Sequence, residues 1–187
     1  MELTALVLIA DGTEEMEFTI AYDLLVRAGI ACTSAFVGNA SKTNIATCSR
    51  GVKIVADTAF AEVSSTIYDV MIIPGGAKGA ETLSQDKQVQ ELVRQHLDEG
   101  RIVGMVCAGT LTARTAKLVS QPVTSHPSVK DQLADVFDYK DESVVVSDKL
   151  VTSRGPGSCF AWTLKIIELL LGDAKAQEIR GPLMIPN

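Results

Sequence analysis

The sequence is poor in several kinds of residue that commonly mark a function. It has two histidines and one tryptophan, and aromatic residues make up 5% of its 187 residues. Lysine and arginine number 17 against 23 acidic residues, which gives a net charge of −6. This balance argues against binding to nucleic-acid phosphates, because such contacts need clustered cations. Two histidines also argue against a structural zinc site.

The cysteines and the hydrophobic runs exclude further classes. Cys32, Cys48, Cys107 and Cys159 form no C-x-x-C pair and show no metal-ligand spacing. Such thiols are typical of a reducing compartment, which predicts a cytoplasmic protein, with the nucleus left open as a second location. We find no apolar run of about 20 residues and no signal-peptide pattern, so no membrane segment is expected. The glycine-rich nucleotide motifs are also absent, and we expect neither a metal nor a cofactor.

Apolar runs alternate with amphipathic segments along the whole chain. Residues 3–10 form one continuous apolar run, which is typical of a parallel strand buried on both faces. Further strands are predicted at residues 30–37, 68–74, 101–106, 144–146 and 150–152, and helices at residues 13–28, 87–99, 111–119 and 158–171. A polar loop at 38–47 and an exposed excursion at 49–56 follow the second strand. The alternation predicts one doubly wound α/β domain over residues 1–187.

Cys107 follows one of these buried strands and precedes a helix. A sharp strand-to-helix turn can lift a side chain to the carboxyl edge of a sheet, and Ala108 and Gly109 leave space around the sulfur. The N-terminal N–H groups of the next helix favour a thiolate over a thiol. We therefore expect Cys107 to be a nucleophile and the one strongly acidic thiol. The alternative is a buried cysteine that packs as a small hydrophobic residue.

Glu17 is the second informative residue. Apolar residues lie three, four, seven and eleven positions after it, so it shares a helical face with them. Burial tends to raise the pKa of a carboxyl on such a face, which would keep Glu17 protonated and able to donate. A helix rolled enough to expose Glu17 would remove this role. Glu14 and Glu15 are interpreted as first-turn acids stabilised by the helix dipole.

Two further features allow more than one interpretation. Gly75 and Gly76 follow a buried strand, where they could permit a tight turn or bring bare N–H groups to a developing oxyanion. His126 lies in a loop before another helix, and is either a candidate base or orienting group or an incidental loop residue. His96 falls on the apolar side of its helix and is interpreted as structural.

Several short motifs occur in a fixed order over nearly the whole chain. They are Glu14-Glu-Met-Glu17, Cys48-Ser-Arg50, Ile73-Pro-Gly-Gly76, Cys107-Ala-Gly109, His126-Pro127 and Thr152-Ser-Arg-Gly-Pro-Gly157. The ordered set closely resembles the DJ-one/PfpI superfamily, in particular its parkinsonism-associated protein deglycase and glyoxalase III branch. The resemblance implies a flavodoxin-like (class I glutamine amidotransferase-like) three-layer sandwich with a mostly parallel central sheet. Thr110 departs from a proline of some members, and Val55 replaces a peripheral cysteine.

The resemblance also implies a role for each residue of a catalytic group. The nucleophile is Cys107, its carboxylic-acid partner is Glu17, and the assisting histidine is His126. Oxyanion donors are implied at Gly76 and Ala108, with Gly75 shaping the turn.

A homodimer is expected from the same resemblance. Its two-fold interface would contain the helix Glu14–Ala28 and the segment Cys48–Val55, with Arg27 and Arg50 close to the site. The helix offers apolar side chains on a face other than that of Glu17. These are Phe18, Tyr22 and Leu25.

These parts together predict a glutathione-independent glyoxalase III. A Cys107 thiolate would attack the aldehyde carbon of methylglyoxal or glyoxal to give a hemithioacetal, with its oxyanion held by N–H groups. Glu17 and His126 would move protons through an enediol toward a 2-hydroxy acid, a lyase reaction of the D-lactate dehydratase type. Attack on glycated adducts of proteins or nucleotides would make the chain a deglycase, which is a hydrolase.

A different class of function competes with catalysis. An accessible, acidic Cys107 beside a protonated carboxyl would favour stable oxidation to a sulfinate. The protein would then be a redox sensor or a chaperone of the oxidative stress response. Peptidase activity, known among other superfamily members, ranks lower, because a cysteine protease pairs its thiol with an imidazole and Glu17 takes that place here.

Overall fold

A computed structural model of the chain, which describes residues 2–38 and 44–185, is centred on one large β-sheet. The strands are β1 (Thr4–Ile9), β2 (Ala31–Phe36), β3 (Ile45–Thr47), β4 (Lys53–Val55), β5 (Thr58–Ala59), β6 (Val70–Ile73), β7 (Ile102–Val106), β8 (Pro122–Val123), β9 (Asp138–Tyr139), β10 (Val144–Ser147) and β11 (Leu150–Ser153). Seven of them form the sheet in the order β10-β11-β7-β6-β1-β2-β5. Its neighbouring strands run parallel, except for the antiparallel hairpin of β10 and β11.

Helices cover both faces of this sheet. They are α1 (Glu15–Arg27), α2 (Phe60–Val63), α3 (Ala77–Gln85), α4 (Lys87–Asp98), α5 (Leu111–Thr115), α6 (Cys159–Leu171) and α7 (Asp173–Arg180). Short 3-10 helices lie at Cys107–Thr110, Pro127–Gln132, Pro156–Ser158 and Gly181–Leu183. One hydrophobic core lies under α1, α6 and α7, and a second lies under α3, α4 and α5 on the other face. The predicted three-layer α/β sandwich with a mostly parallel sheet is confirmed.

The packing of β1 explains why its sequence is continuously apolar. Ala5, Val7 and Ile9 belong to the core under α1, whereas Leu6 and Leu8 belong to the core on the opposite face. All five side chains are completely buried. Because side chains alternate between the two faces of a strand, a strand buried on both faces needs apolar residues throughout. β1 therefore lies in the interior of the sheet, between its parallel neighbours β2 and β6.

Four helices differ from the sequence prediction, and two of them, α2 and α7, lie in segments to which it assigned no helix. The helix predicted over residues 111–119 ends at Thr115, and Lys117 has a left-handed backbone with a φ of 56°. Such a conformation cannot continue a right-handed helix. Helix α3 is absent from the prediction, because it starts directly after Gly75 and Gly76 and has Gly79 near its start. Glycine lowers helix propensity, so this sequence resembles a loop.

The segment after β2 contains a hairpin that the sequence does not predict. β3 pairs antiparallel with β4, so the expected polar loop at 38–47 ends in a strand. Residues 39–43 of that loop lie outside the described residues. Thr47 donates its N–H to the Asp11 carboxylate at 2.8 Å, and its carbonyl accepts the N–H of Gly12 at 2.8 Å. These bonds attach the hairpin to the turn after β1, next to the start of α1.

His96 is a structural residue of α4, as predicted. Its ring is completely buried, with Nδ1 2.9 Å from the Leu92 carbonyl oxygen. Nε2 accepts the N–H of Tyr68 at 3.2 Å. A neutral ring with its proton on Nδ1 satisfies both contacts. Burial lowers the pKa of His96, against smaller opposing effects of the Leu92 carbonyl and Glu99.

Protonation of His96 should therefore weaken the fold in acid. The unfolded chain takes up this proton near the ordinary pKa of 6.5, and the folded chain takes it up at a lower pH. The stabilisation by the neutral ring is fully present above the unfolded pKa and is lost as the pH falls below it. Urea unfolding is measured at about pH 7.5 and about pH 5.0, one on each side of this pKa. The loss of stability between the two should be larger for the wild type than for His96→Gln. Equal losses would assign the acid dependence to other groups.

Candidate active site

Cys107 occupies a strained turn at the carboxyl end of β7. It is the first residue of the 3-10 helix Cys107–Thr110, and its φ is 59°. This value lies in the left-handed region, which residues with a side chain rarely adopt. Such strain persists only where the surrounding structure imposes it, and it is frequent at active sites. The turn leaves the sulfur half-buried at the wall of an open pocket.

Two glycines let the neighbouring strand ends approach each other. A Cβ added to Gly75 would lie 2.6 Å from the Cβ of Cys107 and 2.7 Å from Oε2 of Glu17. A Cβ added to Gly109 would lie 2.6 Å from the carbonyl oxygen of Ile73. Neither position has room for a side chain. The turns after β6 and β7 and the Glu17 carboxyl can therefore meet at one point.

The N–H groups of these turns are divided between the carboxyl and the sulfur. Gly75 donates its N–H to Oε2 of Glu17 at 2.6 Å. The N–H groups of Ala108 and Gly76 act on the Cys107 sulfur, where they lower the pKa of the thiol. Gly75 is thus occupied by Glu17, and the other two N–H groups are left to face an anion. The structure brings all these residues together, while their catalytic roles stay predictions.

Glu17 projects from α1 into the space between the two turns. Its side chain is completely buried, and Oε1 has no hydrogen-bond partner within the described part of the chain. Burial is the main cause that raises its pKa to about 7, and the charge of Glu14 adds to it, against the opposing effects of the Gly75 N–H and Cys107. The expected raised pKa is confirmed. In the neutral range Glu17 can therefore both donate and accept a proton.

The structure contradicts the expectation that Cys107 is a strongly acidic thiol. Burial and the charge of ionised Glu17 raise its pKa to about 12, although the N–H groups of Ala108 and Gly76 oppose them. All four cysteines have raised pKa values. The sequence argument considered the next helix and a protonated Glu17, but neither the burial of the sulfur nor an ionised Glu17 beside it. Helix α5 is also only 5 residues long, which limits its dipole.

When Glu17 is ionised, Glu17 and Cys107 hold one proton between them, and it resides on the sulfur. Transfer of that proton to Glu17 removes the repulsion between the two groups and leaves a thiolate in front of two N–H donors. The arrangement thus lets Glu17 serve first as the base that generates the nucleophile and then as an acid.

Two acids that sequence reasoning assigned to the helix dipole fix the position of α1. Glu14 is the N-cap, and its Oε2 accepts the N–H of Glu17 at 2.9 Å. Its own N–H donates to the carbonyl of Gly75 at 3.0 Å. The carboxylate of Glu15 accepts the N–H of Arg50 at 2.9 Å. The signal in the sequence is the cluster of three acids within one turn, more than a helix dipole requires.

His126 lines the same pocket from the loop after β8. Its side chain is exposed, and it caps the 3-10 helix Pro127–Gln132. Nδ1 accepts the N–H of Ser128 at 3.2 Å and lies 2.8 Å from the Ser128 hydroxyl oxygen. A neutral ring in this setting carries its proton on Nε2. His126 therefore offers a donor to the pocket.

Of the two arginines expected near the interface, one lies at the pocket and the other does not. Arg50 lines the pocket, where Glu15 holds its backbone. Arg27 is not part of the pocket wall and forms an ion pair with Asp23, with Nε and Oδ2 2.6 Å apart. Both side chains of this pair are about half exposed, so it contributes little to stability.

The expected interface face of α1 is partly wrong. Phe18 and Leu25 are buried in the core of the chain itself, and Tyr22 packs against that core. The exposed apolar residues of α1 are Met16 and Val26, at 53% and 49% exposure. The prediction considered only the angle around the helix axis between these residues and Glu17. The sheet and α6 together cover a wider arc of the helix surface.

The site residues line an open pocket of about 1080 Å³. More distant parts of its wall are Asp11, Thr47, Lys78, Glu81, Gln85, Leu111 and Gln132. Among residues 2–38 and 44–185, no group of three or more His, Cys, Asp or Glu side chains is placed to hold a metal ion. None of the helices in these two ranges is long and apolar enough to cross a membrane. The cytoplasmic location stays a prediction.

Comparison with known proteins supports the resemblance that the ordered motifs indicated. The model of the DJ-1/PfpI family matches residues 3–169. The chain belongs to this family. Protein dj-1beta of Drosophila melanogaster is 40% identical over 187 residues, which cover 99% of this chain and 98% of the relative. The solved structure of Schizosaccharomyces pombe DJ-1 has a TM-score of 0.94 at 36% identity, covering 98% of this chain and 100% of that one. Family and flavodoxin-like fold are confirmed.

Burial of Glu17 should cost stability at neutral and alkaline pH. Its pKa is about 7 in the fold, against an ordinary value of 4.5. A carboxyl with a raised folded pKa stabilises the fold fully below the unfolded pKa, and this contribution is lost as the pH rises through the folded pKa. The difference corresponds to about 3 kcal/mol. Glu17→Gln, which cannot ionise, should therefore gain stability over the wild type as the pH rises from about 4.5 to above 7, measured by urea unfolding.

Glu91→Gln on the exposed face of α4 is the control for this experiment. Its stability relative to the wild type should not change over the same range, because the Glu91 side chain is exposed to water in the folded chain. A Glu17→Gln difference that is independent of pH would show that the fold does not raise the pKa of Glu17.

Proposed function

We propose that the chain is a glutathione-independent glyoxalase, which converts α-oxoaldehydes such as methylglyoxal and glyoxal to 2-hydroxy acids. The observation that carries this proposal is the strained, pocket-lining Cys107 beside the buried Glu17, whose pKa is about 7. Two relatives named glutathione-independent glyoxalases support it. They are DJ-1 of Schizosaccharomyces pombe, 37% identical over 185 residues, and DJR-1.2 of Caenorhabditis elegans, 35% identical over 184 residues.

The first step is the addition of Cys107 to the aldehyde carbon, C1. The Glu17 carboxylate takes the thiol proton, a sulfur electron pair forms the S–C1 bond, and the π pair of the aldehyde moves to its oxygen. The N–H groups of Gly76 and Ala108 are the donors for this oxyanion. Glu17 then gives its proton to the oxygen, and the product is a neutral hemithioacetal.

Two proton transfers convert the hemithioacetal to a thioester. Glu17 takes the proton from C1 and delivers it to the oxygen on C2, which gives an enediol. It next takes the proton from the hydroxyl on C1 and delivers it to C2. C1 is oxidised and C2 is reduced by the same two electrons, so no further oxidant enters. A carboxyl with a pKa near neutrality suits transfer in both directions.

Hydrolysis then releases the product. Water adds to C1 of the thioester, the C1–S bond breaks, and the sulfur of Cys107 recovers a proton. The Nε2–H group of His126 is available as a hydrogen-bond donor during these steps. The sum is one α-oxoaldehyde plus one water giving one 2-hydroxy acid.

Turnover should depend on both Cys107 and Glu17. Cys107→Ser lacks the polarizable sulfur nucleophile, and product formation should become undetectable. Glu17→Gln cannot carry a proton, and kcat should fall roughly 10²-fold or more. The measurement is 2-hydroxy acid formed from methylglyoxal without glutathione. Cys32→Ser, which lies outside the pocket wall, is the control and should keep the wild-type rate. Product formation by Cys107→Ser would overturn the assigned nucleophile.

The same chemistry extends to a deglycase. Hemithioacetals and aminocarbinols, formed by α-oxoaldehydes on thiols and amines, present the same two-carbon unit to Cys107. The pocket of about 1080 Å³ has room for the rest of such an adduct. Release of amine from a glycated peptide in the presence of an aldehyde scavenger would support a direct reaction, and loss of activity with the scavenger would reduce it to removal of free aldehyde.

A redox-sensing or chaperone role is the second candidate. The Cys107 sulfur is accessible from the pocket, and an oxidised Toxoplasma gondii DJ-1 is similar in structure, with a TM-score of 0.91 at 32% identity over 99% of this chain and 100% of that one. The raised pKa of Cys107 weighs against fast oxidation, because the thiolate is the reactive form. Negligible methylglyoxal turnover together with ready conversion of Cys107 to a sulfinate would favour the sensor.

We also propose that the chain forms a homodimer through α1 and the β3–β4 hairpin. Four apolar side chains on these two elements are about half exposed or more. They are Met16, Val26, Val52 and Val55. The bond from Arg50 N–H to Glu15 joins the hairpin to the first turn of α1, where the exposed Met16 is the next residue. Exposed apolar patches of this kind are typical of interfaces.

Sedimentation of the wild type at micromolar concentration should give the mass of two chains. Val55→Glu would bury a charge in the proposed interface and should raise the dimer Kd by roughly tenfold or more, which corresponds to about 1.4 kcal/mol. Val119→Glu is the control, because Val119 is 79% exposed and lies after α5, outside the proposed interface. A wild type that sediments as a monomer would overturn this proposal.

A further inference from the structure

A small space separates the carboxyl of Glu17 from the ring of His126. A Cβ added to Gly155 would lie 4.0 Å from Oε1 of Glu17 and 3.7 Å from Cδ2 of His126. The added atom would thus be in ordinary van der Waals contact with both side chains. We call this space, bounded by Glu17, His126 and Gly155, the slot.

Oε1 of Glu17 is the unusual atom at the slot. Oε2 is held by the N–H of Gly75, whereas Oε1 is buried and has no hydrogen-bond partner among residues 2–38 and 44–185. Buried polar atoms are almost always paired, because an unpaired one costs free energy. An oxygen atom of a ligand in the slot would give Oε1 the partner that the chain does not supply.

His126 presents a matching group to the slot. Its Nδ1 accepts the N–H of Ser128, so a neutral ring carries its proton on Nε2. The atom nearest to the added Cβ of Gly155 is Cδ2, which is bonded to Nε2. The ring edge that carries Nε2–H is therefore the edge beside the slot. A protonated Glu17 and this N–H are two donors for one oxygen.

The usual reasons for a glycine do not apply to Gly155. Its φ of 164° is extended backbone, which any residue adopts, and a Cβ there would clash with nothing. Its backbone is firmly held, since its N–H donates to Oγ of Ser158 at 3.1 Å and its carbonyl accepts the Cys159 thiol at 3.4 Å. The remaining explanation for a glycine at this position is that it leaves the slot open.

We propose that Gly155 is a specificity-determining residue whose slot receives the oxygen on C2 of the α-oxoaldehyde, between Oε1 of Glu17 and Nε2 of His126. This inference rests on the proposed function. With C1 bonded to the Cys107 sulfur, the oxygen on C2 takes the proton that Glu17 has removed from C1, and Nε2–H donates a hydrogen bond to the same oxygen. The substituent on C2 extends into the rest of the pocket.

The substrate class follows from this placement. The slot recognises two adjacent carbons that both carry oxygen, which is the unit shared by α-oxoaldehydes and their 2-hydroxy acid products. The substituent on C2 does not enter the slot. Because the pocket measures about 1080 Å³, the chain should turn over substrates with a bulky substituent, such as phenylglyoxal, in addition to methylglyoxal.

Gly155→Ala tests the slot, because its methyl group would occupy the space between the two side chains without a clash. The variant should melt near the wild-type temperature, and its kcat/KM for methylglyoxal should fall roughly 10²-fold, the scale of a lost proton donor. Alkylation of Cys107 by iodoacetamide, which does not use the slot, should keep its wild-type rate. Gly157→Ala is the matched control, since an added Cβ there meets no atom within 4 Å.

The outcomes separate the slot from the proposed function. Unchanged turnover in Gly155→Ala would overturn the slot, and so would an equal loss of turnover and alkylation, which indicates a general distortion. A wild type that forms no 2-hydroxy acid would overturn the proposed function instead. The slot is then tested with lactate, which should protect Cys107 from iodoacetamide in the wild type and not in Gly155→Ala. If lactate did not protect the wild type, or protected the wild type and Gly155→Ala equally, the slot would be overturned.

Discussion

The hydrogen bond from the Gly75 N–H to Oε2 of Glu17 is the contact on which the site depends. It joins α1 to the turn after β6 at 2.6 Å, inside the fold. A bond to a charged group contributes about 1.5–3 kcal/mol, which offsets part of the cost of burying the carboxyl. Any side chain at position 75 would overlap both Cys107 and Glu17. The bond therefore requires a glycine there. Glu14, which caps α1, adds a second hydrogen bond to the same turn through its own N–H.

Burial has opposite consequences for the two reacting groups. It raises the pKa of Glu17 into the neutral range, where a carboxyl can give and take a proton with little driving force in either direction. It also raises the pKa of Cys107, and the charge of Glu17 raises it further. The thiolate is therefore favourable only when Glu17 holds the proton. Nucleophile and acid are generated by one transfer, and the strained turn at Cys107 keeps the sulfur beside the pocket while this happens.

Features encoded locally could be predicted from the sequence, and features that depend on distant partners could not. The continuous apolar run of β1, the turn at Cys107 and the apolar face of Glu17 each lie within one element, so periodicity indicates them. The role of Glu15 depends on Arg50, which lies 35 residues away in the sequence. The pKa of Cys107 depends on burial by several elements and on the charge of a side chain from α1. The motif order identified the family correctly, because order over a whole chain is far more specific than any single motif.

The glycines of the site show why contact geometry adds information that a motif cannot give. Gly75 and Gly109 stand where a Cβ would meet backbone or reacting groups below 3 Å, so the fold itself demands them. Gly155 meets no such demand, since its backbone is extended and its neighbours lie at 3.7 Å and beyond. In the sequence these residues are indistinguishable, and each belongs to a short glycine-containing motif. The structure separates a glycine required for packing from one where an added side chain would contact a buried, unpaired carboxyl oxygen, and only the second kind points to a ligand.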